Sequence, residues 1–297
     1  MIITTLRRAP ILAETLRSFE ALDVDGLGWE LLLLDNAGGD PATREVATAF
    51  GTRLPIQLVL EPRPGVNHAR NRAVERARGE LIVFADDDIT PAPEWLRQLR
   101  EGAGRWPEAY VFGGRVLPAW PTSAAVPADH EFFAHAYAIA DWSIPEGPYS
   151  AHRVFGPNMA YRASVFRDGW RFDPRIGPDG TDRYMTGSET SFNLALERAG
   201  FVAIYLPGAR VHHRVRPEQL ALTWLYRRSF RLGRWEAYLG PHRVERTASL
   251  RRLLTALTRS YLRFARARLR GDPAEALDAG LAYWRLRGVL HQRYRRH

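Results

Sequence analysis

Three consecutive carboxylates, Asp86, Asp87 and Asp88, follow a short unbroken apolar run over residues 81–85. A run of that length has the pattern of a strand buried on both faces. In open α/β sheets, ligands sit beyond the carboxyl ends of the strands. A hard divalent cation takes oxygen ligands, commonly one or two carboxylates together with substrate phosphates. Asp86 and Asp88, flanking Asp87, have the spacing to supply them. One aspartate at a strand end is ordinary turn chemistry. Three adjacent ones repel each other and need a counter-charge, which favours a metal. Pro91 and Pro93 follow closely and are expected to stop the strand and open a helix.

The elements that must position these acids can be read in order. Residues 1–5, 29–34 and 56–60 have strand character, and Ile11, Leu12, Leu16 and Phe19 form a helical stripe. A turn from Asp35 to Pro41 leads into a helix ending near Phe50, and a short arginine-rich helix covers residues 67–77. Strand and helix alternate four times before the carboxylates, which predicts a parallel, doubly wound sheet. A helix over 94–105 and a strand over 110–117 come next. Residues 118–153 have no sustained period and carry Trp120, Phe132, Phe133, Trp142 and Tyr149, rings suited to stacking on sugar faces or simply to a core. Residues 156–161 return to the sheet and 169–187 are loop-like. A helix runs from Ser188 to Arg198 and a strand covers 201–206. No GxGxxG or GxxxxGK[ST] follows any strand, which counts against dinucleotide dehydrogenases and P-loop enzymes.

Composition bounds the remainder. Nothing in the 297 residues is cysteine, so disulfides, thiolate zinc sites and cysteine nucleophiles are excluded. No apolar run approaches a membrane span and the N-terminus lacks the layout of a signal peptide, so a cytoplasmic protein is expected, soluble or peripheral on the inner leaflet. All 42 basic residues are arginine. Residues 214–297 hold 20 arginines against 6 acids, a net of +14, whereas residues 1–213 carry −5. Leu250, Leu253, Leu254, Leu257, Tyr261 and Phe264 recur at three and four residues in this basic tail, with arginines on other faces. We expect residues 1–216 to form the catalytic domain and residues 217–297 a basic amphipathic helical extension. Its apolar stripe should pack inward, and its arginines should face an anionic partner such as a membrane surface.

In order along the chain stand Thr4-Thr5; Leu32-Leu33-Leu34-Asp35-Asn36; Gly65-Val66-Asn67-His68-Ala69-Arg70-Asn71; Asp86-Asp87-Asp88; Gly156-Pro157-Asn158-Met159-Ala160; Gly187-Ser188-Glu189-Thr190; Pro207 to His213; and Arg231-Leu232-Gly233-Arg234. In these motifs, over roughly residues 1–235, the chain resembles the large family of inverting GT-A-fold glycosyltransferases that includes bacterial polysaccharide and glycolipid enzymes. The resemblance implies a Rossmann-like, mostly parallel sheet and transfer of a sugar from a nucleoside-diphosphate donor, UDP-sugar favoured, to a glycan or lipid-linked acceptor. It assigns Thr4, Thr5, Asp35, Arg70, Asp86 and Asp87 to the donor, with Asp35 accepting from the uracil imide. Asp88, Asp86 and His213 would hold Mn²⁺ or Mg²⁺, His212 being one position off the pattern. Glu189 would be the general base.

The family commonly has Glu-Asp where this chain has Glu189-Thr190, so Asp182 or Asp179 upstream is an alternative base. A carboxylate in a first turn also complements the helix N-terminus. The family's frequent Pro-Thr-x-Asn is replaced by Thr5-Leu6-Arg7-Arg8. Two other classes are an inactive scaffold of the same fold and a nucleic-acid binder using the basic tail; the second leaves the acidic body unexplained and has no recognised motif.

Overall fold

The computed structural model describes residues 1–121, 131–182, 184–239 and 249–294. The chain forms two compact units, one of Met1–Arg175 with Ser188–Val215, the other of Ile176–Gly187 with Arg216–His297. Residues 176–187, grouped with the catalytic domain on sequence, thus fall in the second unit.

The first unit is built on nine strands: β1 (Ile2–Thr5), β2 (Leu31–Asp35), β3 (Ile56–Leu60), β4 (Leu81–Asp86), β5 (Ile89–Pro91), β6 (Val111–Ala119), β7 (Gly147–Tyr149), β8 (Met159–Arg162) and β9 (Ala203–Arg214). Its helices are α1 (Ala9–Phe19), α2 (Pro41–Phe50), α3 (Val66–Val74), α4 (Trp95–Arg105), α5 (Glu131–Ala136), α6 (Ala163–Arg167) and α7 (Ser188–Arg198). The sheet order is β3-β2-β1-β4-β8-β6-β9-β5, with β7 also on β9. The parallel, doubly wound arrangement expected from the alternation holds for β3-β2-β1-β4. Beyond β4 the sheet is mixed, because β8 runs antiparallel to both β4 and β6. A parallel return needs a long crossover, usually a helix, whereas antiparallel neighbours do not.

The continuous apolar strands are buried on both faces, as their composition requires. Leu31 and Leu33 join a core with α1, α2 and α4, while Leu32 and Leu34 point into a second core with α3, α6 and α7. Asp40 caps α2 by accepting from Thr43 N at 3.0 Å, with Pro41 preset for the first turn. Of the two prolines after Asp88, Pro93 lies in the turn that leads into α4, but Pro91 does not open a helix. Ile89–Pro91 instead forms β5, at the edge of the sheet, where a missing N–H is tolerated.

One irregularity sets the register of the site. β9 pairs with β6 through Gly114↔Leu206 and then Arg115↔Arg210, so residues 207–209 are left out of the ladder. Asn158 fills the gap: its amide N–H₂ donates to the carbonyls of Arg115 (3.0 Å) and Ala209 (2.8 Å), and its oxygen accepts from Trp95 Nε1 at 2.9 Å. A side chain at Gly114 would collide with Asn158 and with the Ala209 carbonyl. Below this staple β9 continues to pair with β5, which sets His213 opposite Ile89.

The second unit contains α8 (Leu222–Leu239), α9 (Leu250–Arg270) and α10 (Pro273–Tyr294). α9 starts on Ser249, which accepts from Arg252 N, and ends on Gly271 at φ 69°, a left-handed cap suited to glycine. α8 and α10 pack closely, since a Cβ at Gly233 would meet the Arg285 carbonyl and one at Gly288 the Phe230 carbonyl.

Asn158→Ala removes three hydrogen bonds, two of them buried, and takes this partner from two carbonyls and an indole N–H. We expect it to cost about 3–5 kcal/mol, read as a lowered midpoint in urea denaturation followed by tryptophan fluorescence. Asn158→Asp should cost almost as much, because it keeps the acceptor for Trp95 but loses both donors.

Candidate functional site

The carboxyl ends of β1 and β4, side by side with Thr4 opposite Asp86, place the acidic triplet at the rim of the parallel half of the sheet. The triplet occupies the turn between β4 and β5. Asp87 and Asp88 are buried, and Asp86 is half-buried. The backbone there is pinned from two sides: Thr15 Oγ1 donates to the Asp87 carbonyl at 2.6 Å, and Arg214 N to the Asp88 carbonyl at 2.9 Å.

The counter-charge that the triplet requires is on this chain. Arg8, at the end of the β1–α1 loop, donates from Nη1 to Asp87 Oδ1 and from Nη2 to Asp88 Oδ2, both at 2.6 Å. Thr5 Oγ1 donates to the other oxygen of Asp87 at 2.6 Å. Part of the repulsion is therefore offset without a metal, so the acidic triplet alone does not demand one. Asp86 and the other oxygen of Asp88 remain to be explained. They converge with His213: ligand atoms of Asp86, Asp88 and His213 lie within 4.8 Å of one another.

The histidine is prepared for that position. A backbone carbonyl can only accept, so the 2.8 Å contact of His213 Nδ1 with Tyr137 O puts a proton on Nδ1. Nε2 faces Asp88 Oδ1 at 3.2 Å and donates to it when protonated; a cation held there would take the place of that proton, with Nδ1–H still anchored on the carbonyl. Successive residues of a strand face opposite sides. His212 is accordingly exposed, and only His213 meets the acids. Burial raises Asp88, but the neighbouring His213 and Arg8 outweigh it and hold the carboxyl well below its usual range. Burial lowers His213, and Asp88 more than reverses this. Desolvation, followed by the Asp88 charge, pushes Asp86 upward. The group thus has one firmly ionised carboxylate, one less so and an imidazole, a donor set that could hold a divalent metal ion.

Arg70 links this group to Glu189. It is buried on α3, with Nη2 3.9 Å from Asp86 Oδ1 and Nη1 3.9 Å from Glu189 Oε2. It also donates to Ser188 Oγ at 2.7 Å and lies over the Phe172 ring. Glu189 is half-buried in the first turn of α7.

Asp182 belongs to the second unit, where its exposed carboxylate pairs with Arg231 Nη2 at 2.9 Å. Asp179, in the same unit, accepts from Thr181 N and Oγ1 within a turn. Thr4 is half-buried on β1. Asp35 is buried, and its oxygens accept from the backbone of Ala37, Gly39 and Asp40 at 2.7–2.8 Å. It builds the β2–α2 turn and does not present its carboxylate to the surface. Of the aromatics, Phe133 is core and Trp120 stands half-buried, edge-on to the buried Tyr137. Residues 122–130 of that stretch lie outside the described residues. Sequence reasoning missed Arg8, although a chain without lysine must use arginine wherever a buried acid needs a cation.

Comparison with known proteins identifies the family. The sequence model of glycosyl transferase family 2 matches residues 1–170. The succinoglycan biosynthesis protein ExoM of Rhizobium meliloti (strain 1021) is 28% identical over 239 residues, which are 78% of this chain and 71% of the relative. A glucosyl-dolichyl phosphate glucuronosyltransferase of Haloferax volcanii is 26% identical over 179 residues, 59% of this chain and 54% of the relative, so the chain spans about half of that protein. Among solved structures, the mannosyltransferase PcManGT from Pyrobaculum calidifontis, in complex with GDP-Man and Mn²⁺, superposes with a TM-score of 0.64 at 18% identity, covering 100% of this chain and 87% of that one. S. aureus TarS 1–349 with UDP-GlcNAc gives 0.58 at 14% identity, covering 99% and 92%. These structural likenesses are of fold, the GT-A glycosyltransferase fold. With the matched segment extending over more than half its length, the chain belongs to glycosyl transferase family 2.

Proposed function

We propose that this glycosyltransferase is metal-dependent and inverting, moving a sugar from a nucleoside-diphosphate donor to a hydroxyl of a glycan or lipid-linked acceptor. The observation that carries the reading is Arg70 placed between Glu189 and Asp86, so that a candidate base and a candidate cation site share one rim. A UDP-sugar is the donor we put first, on the resemblance at the Asp35 strand end, with Asp35 acting through the turn it holds.

Asp86, Asp88 and His213 are the residues that would hold the cation, Arg8 having taken the second oxygen of Asp88. When bound, a divalent cation supplies positive charge to offset that of the departing diphosphate. In the single displacement the acceptor oxygen attacks the anomeric carbon as the bond from that carbon to the diphosphate oxygen breaks. Glu189 takes the acceptor proton, and the bonding pair leaves with the nucleoside diphosphate. Arg70 keeps a positive charge between Glu189 and Asp86, so neither carboxylate faces the other uncompensated.

Three outcomes are expected. Asp88→Ala should abolish most Mn²⁺-dependent affinity for UDP in calorimetry while the fold persists; equal UDP affinity in the parent protein with EDTA present would refute the metal reading. Glu189→Gln should leave donor binding nearly unchanged and lower turnover ~10²–10⁴-fold. Loss of activity in Asp182→Asn with full activity in Glu189→Gln would move the base to Asp182. Arg8→Gln removes the guanidinium that forks across two buried carboxylates and should cost about 3 kcal/mol without metal. Added Mn²⁺ should then raise its melting temperature by more than it raises that of the parent. An equal rise in both proteins would mean that Arg8 and the cation do not share the same charge.

A further inference from the structure

We propose that the outward face of α9 docks the protein on the anionic surface of a lipid bilayer, lying along it with leucines inserted and arginines at the headgroup phosphates. This goes beyond glycosyl transfer and does not rest on it. It also differs from the sequence expectation, in which the apolar stripe was wholly turned inward.

At 3.6 residues per turn, α9 divides into three stripes. Leu253, Leu257, Phe264 and Ala267 form the inner one, with Leu253 and Ala267 buried and Phe264 edge-on to Tyr226 of α8. Adjoining it, within about 120° of the helix circumference, run Leu250, Tyr261, Leu254, Leu269 and Leu262. These side chains are not core: Leu269 is 88% exposed and the other four 45–51%. Across the remaining arc, within about 60°, stand Arg252, Arg259, Arg263, Arg266 and Arg270. Arg263 pairs with Glu275 at 2.8 Å; the other four have no acidic partner among the described residues. Arg251 and Arg268 fall within or beside the apolar arc at its two ends, with stems long enough to lay along it and carry the charge outward.

Neither solvent nor a protein core suits this pattern. A helix made only for water has no use for five large apolar side chains left out, and apolar residues turned toward a partner do not call for a row of unpaired cations. The boundary between hydrocarbon and headgroups takes both at once, and helices with an apolar side flanked by arginines lie in its plane. Among the described residues no helix is long and apolar enough to cross a membrane, so the contact is peripheral. The unpaired arginines match the negative charge of the surface, each adding roughly a factor of five to partitioning near it.

The test is co-sedimentation of the full chain with vesicles, an equal mixture of phosphatidylcholine and phosphatidylglycerol against phosphatidylcholine alone. Binding to the mixture and not to the neutral vesicles is expected. Arg259→Gln with Arg266→Gln should weaken it roughly 30-fold. Leu254→Ser, Leu262→Ser and Leu269→Ser together, all at exposed positions, should make what binding remains easily removed by salt. The indole of Leu262→Trp should shift its emission to the blue on the anionic vesicles only. A protein that stays in the supernatant at low salt overturns the proposal, as does an unshifted Leu262→Trp emission. Retention on single-stranded RNA without vesicle binding would assign the arginines to nucleic acid. A solution dimer that the triple serine variant dissolves would assign the leucines to a second copy of the chain. Either outcome overturns the proposal.

Discussion

The first unit depends on how it buries Asp87 and Asp88. A carboxylate taken out of water without a partner costs several kcal/mol, and two in succession cost more than a domain of marginal stability can spare. The chain meets this with a guanidinium that forks across both. Because Arg8 sits on the β1–α1 loop, the same contact fixes the loop over the carboxyl end of β1. Because Asp88 also faces His213, it extends to β9. Arg214, beside that histidine, donates to the Ile89 and Ile11 carbonyls and so joins β5 to α1. Four elements meet at the triplet, and what joins them is charge and hydrogen bonding over an apolar sheet that would tolerate other loops.

Much of this was legible in the sequence where one residue type allows one physical outcome. An unbroken apolar run between turn residues must be a strand buried on both faces, and β2 has that burial at Leu31 to Leu34. The acidic triplet had to lie at a strand's end, and does. What could not be read was pairing between segments far apart in the chain. That β5 would lie against β9, bringing Asp88 to His213, depends on three leftover residues in β9 and on an asparagine that satisfies their neighbours. Asn158 stands in a recognisable motif, but its partners are 43 to 63 residues away. The same limit hid Arg8. Its charge was visible and its target, 79 and 80 residues on, was not.

Asp35 shows the reverse failure, a correct position with a different task. Its place at the end of a parallel strand was readable, and ligands do gather there. The turn that follows has glycines at φ 74° and 130°, and its N–H groups converge on the nearest acceptor. That acceptor is Asp35. Local backbone donors are always within reach, whereas a ligand must displace them, so a carboxylate in a tight turn satisfies the turn first.

Arginine is the only strong cation this chain has, and its planar fork lets one residue do what a lysine point charge could not. Arg8 spans two carboxylates, and Arg70 stands between two more while hydrogen-bonding Ser188. In both cases the guanidinium is held by partners on several elements, so its position is fixed and its charge is largely neutralised locally. On α9 the same residue is set at helical spacing, most of its copies with no acid beside them among the described residues. Charge left uncompensated acts over a Debye length of about 8–10 Å instead of at one contact, so it can attract a surface but cannot orient a substrate. Partnering, more than residue type, therefore separates the two uses: paired arginines build the site, and unpaired ones give α9 a face whose charge extends beyond the protein.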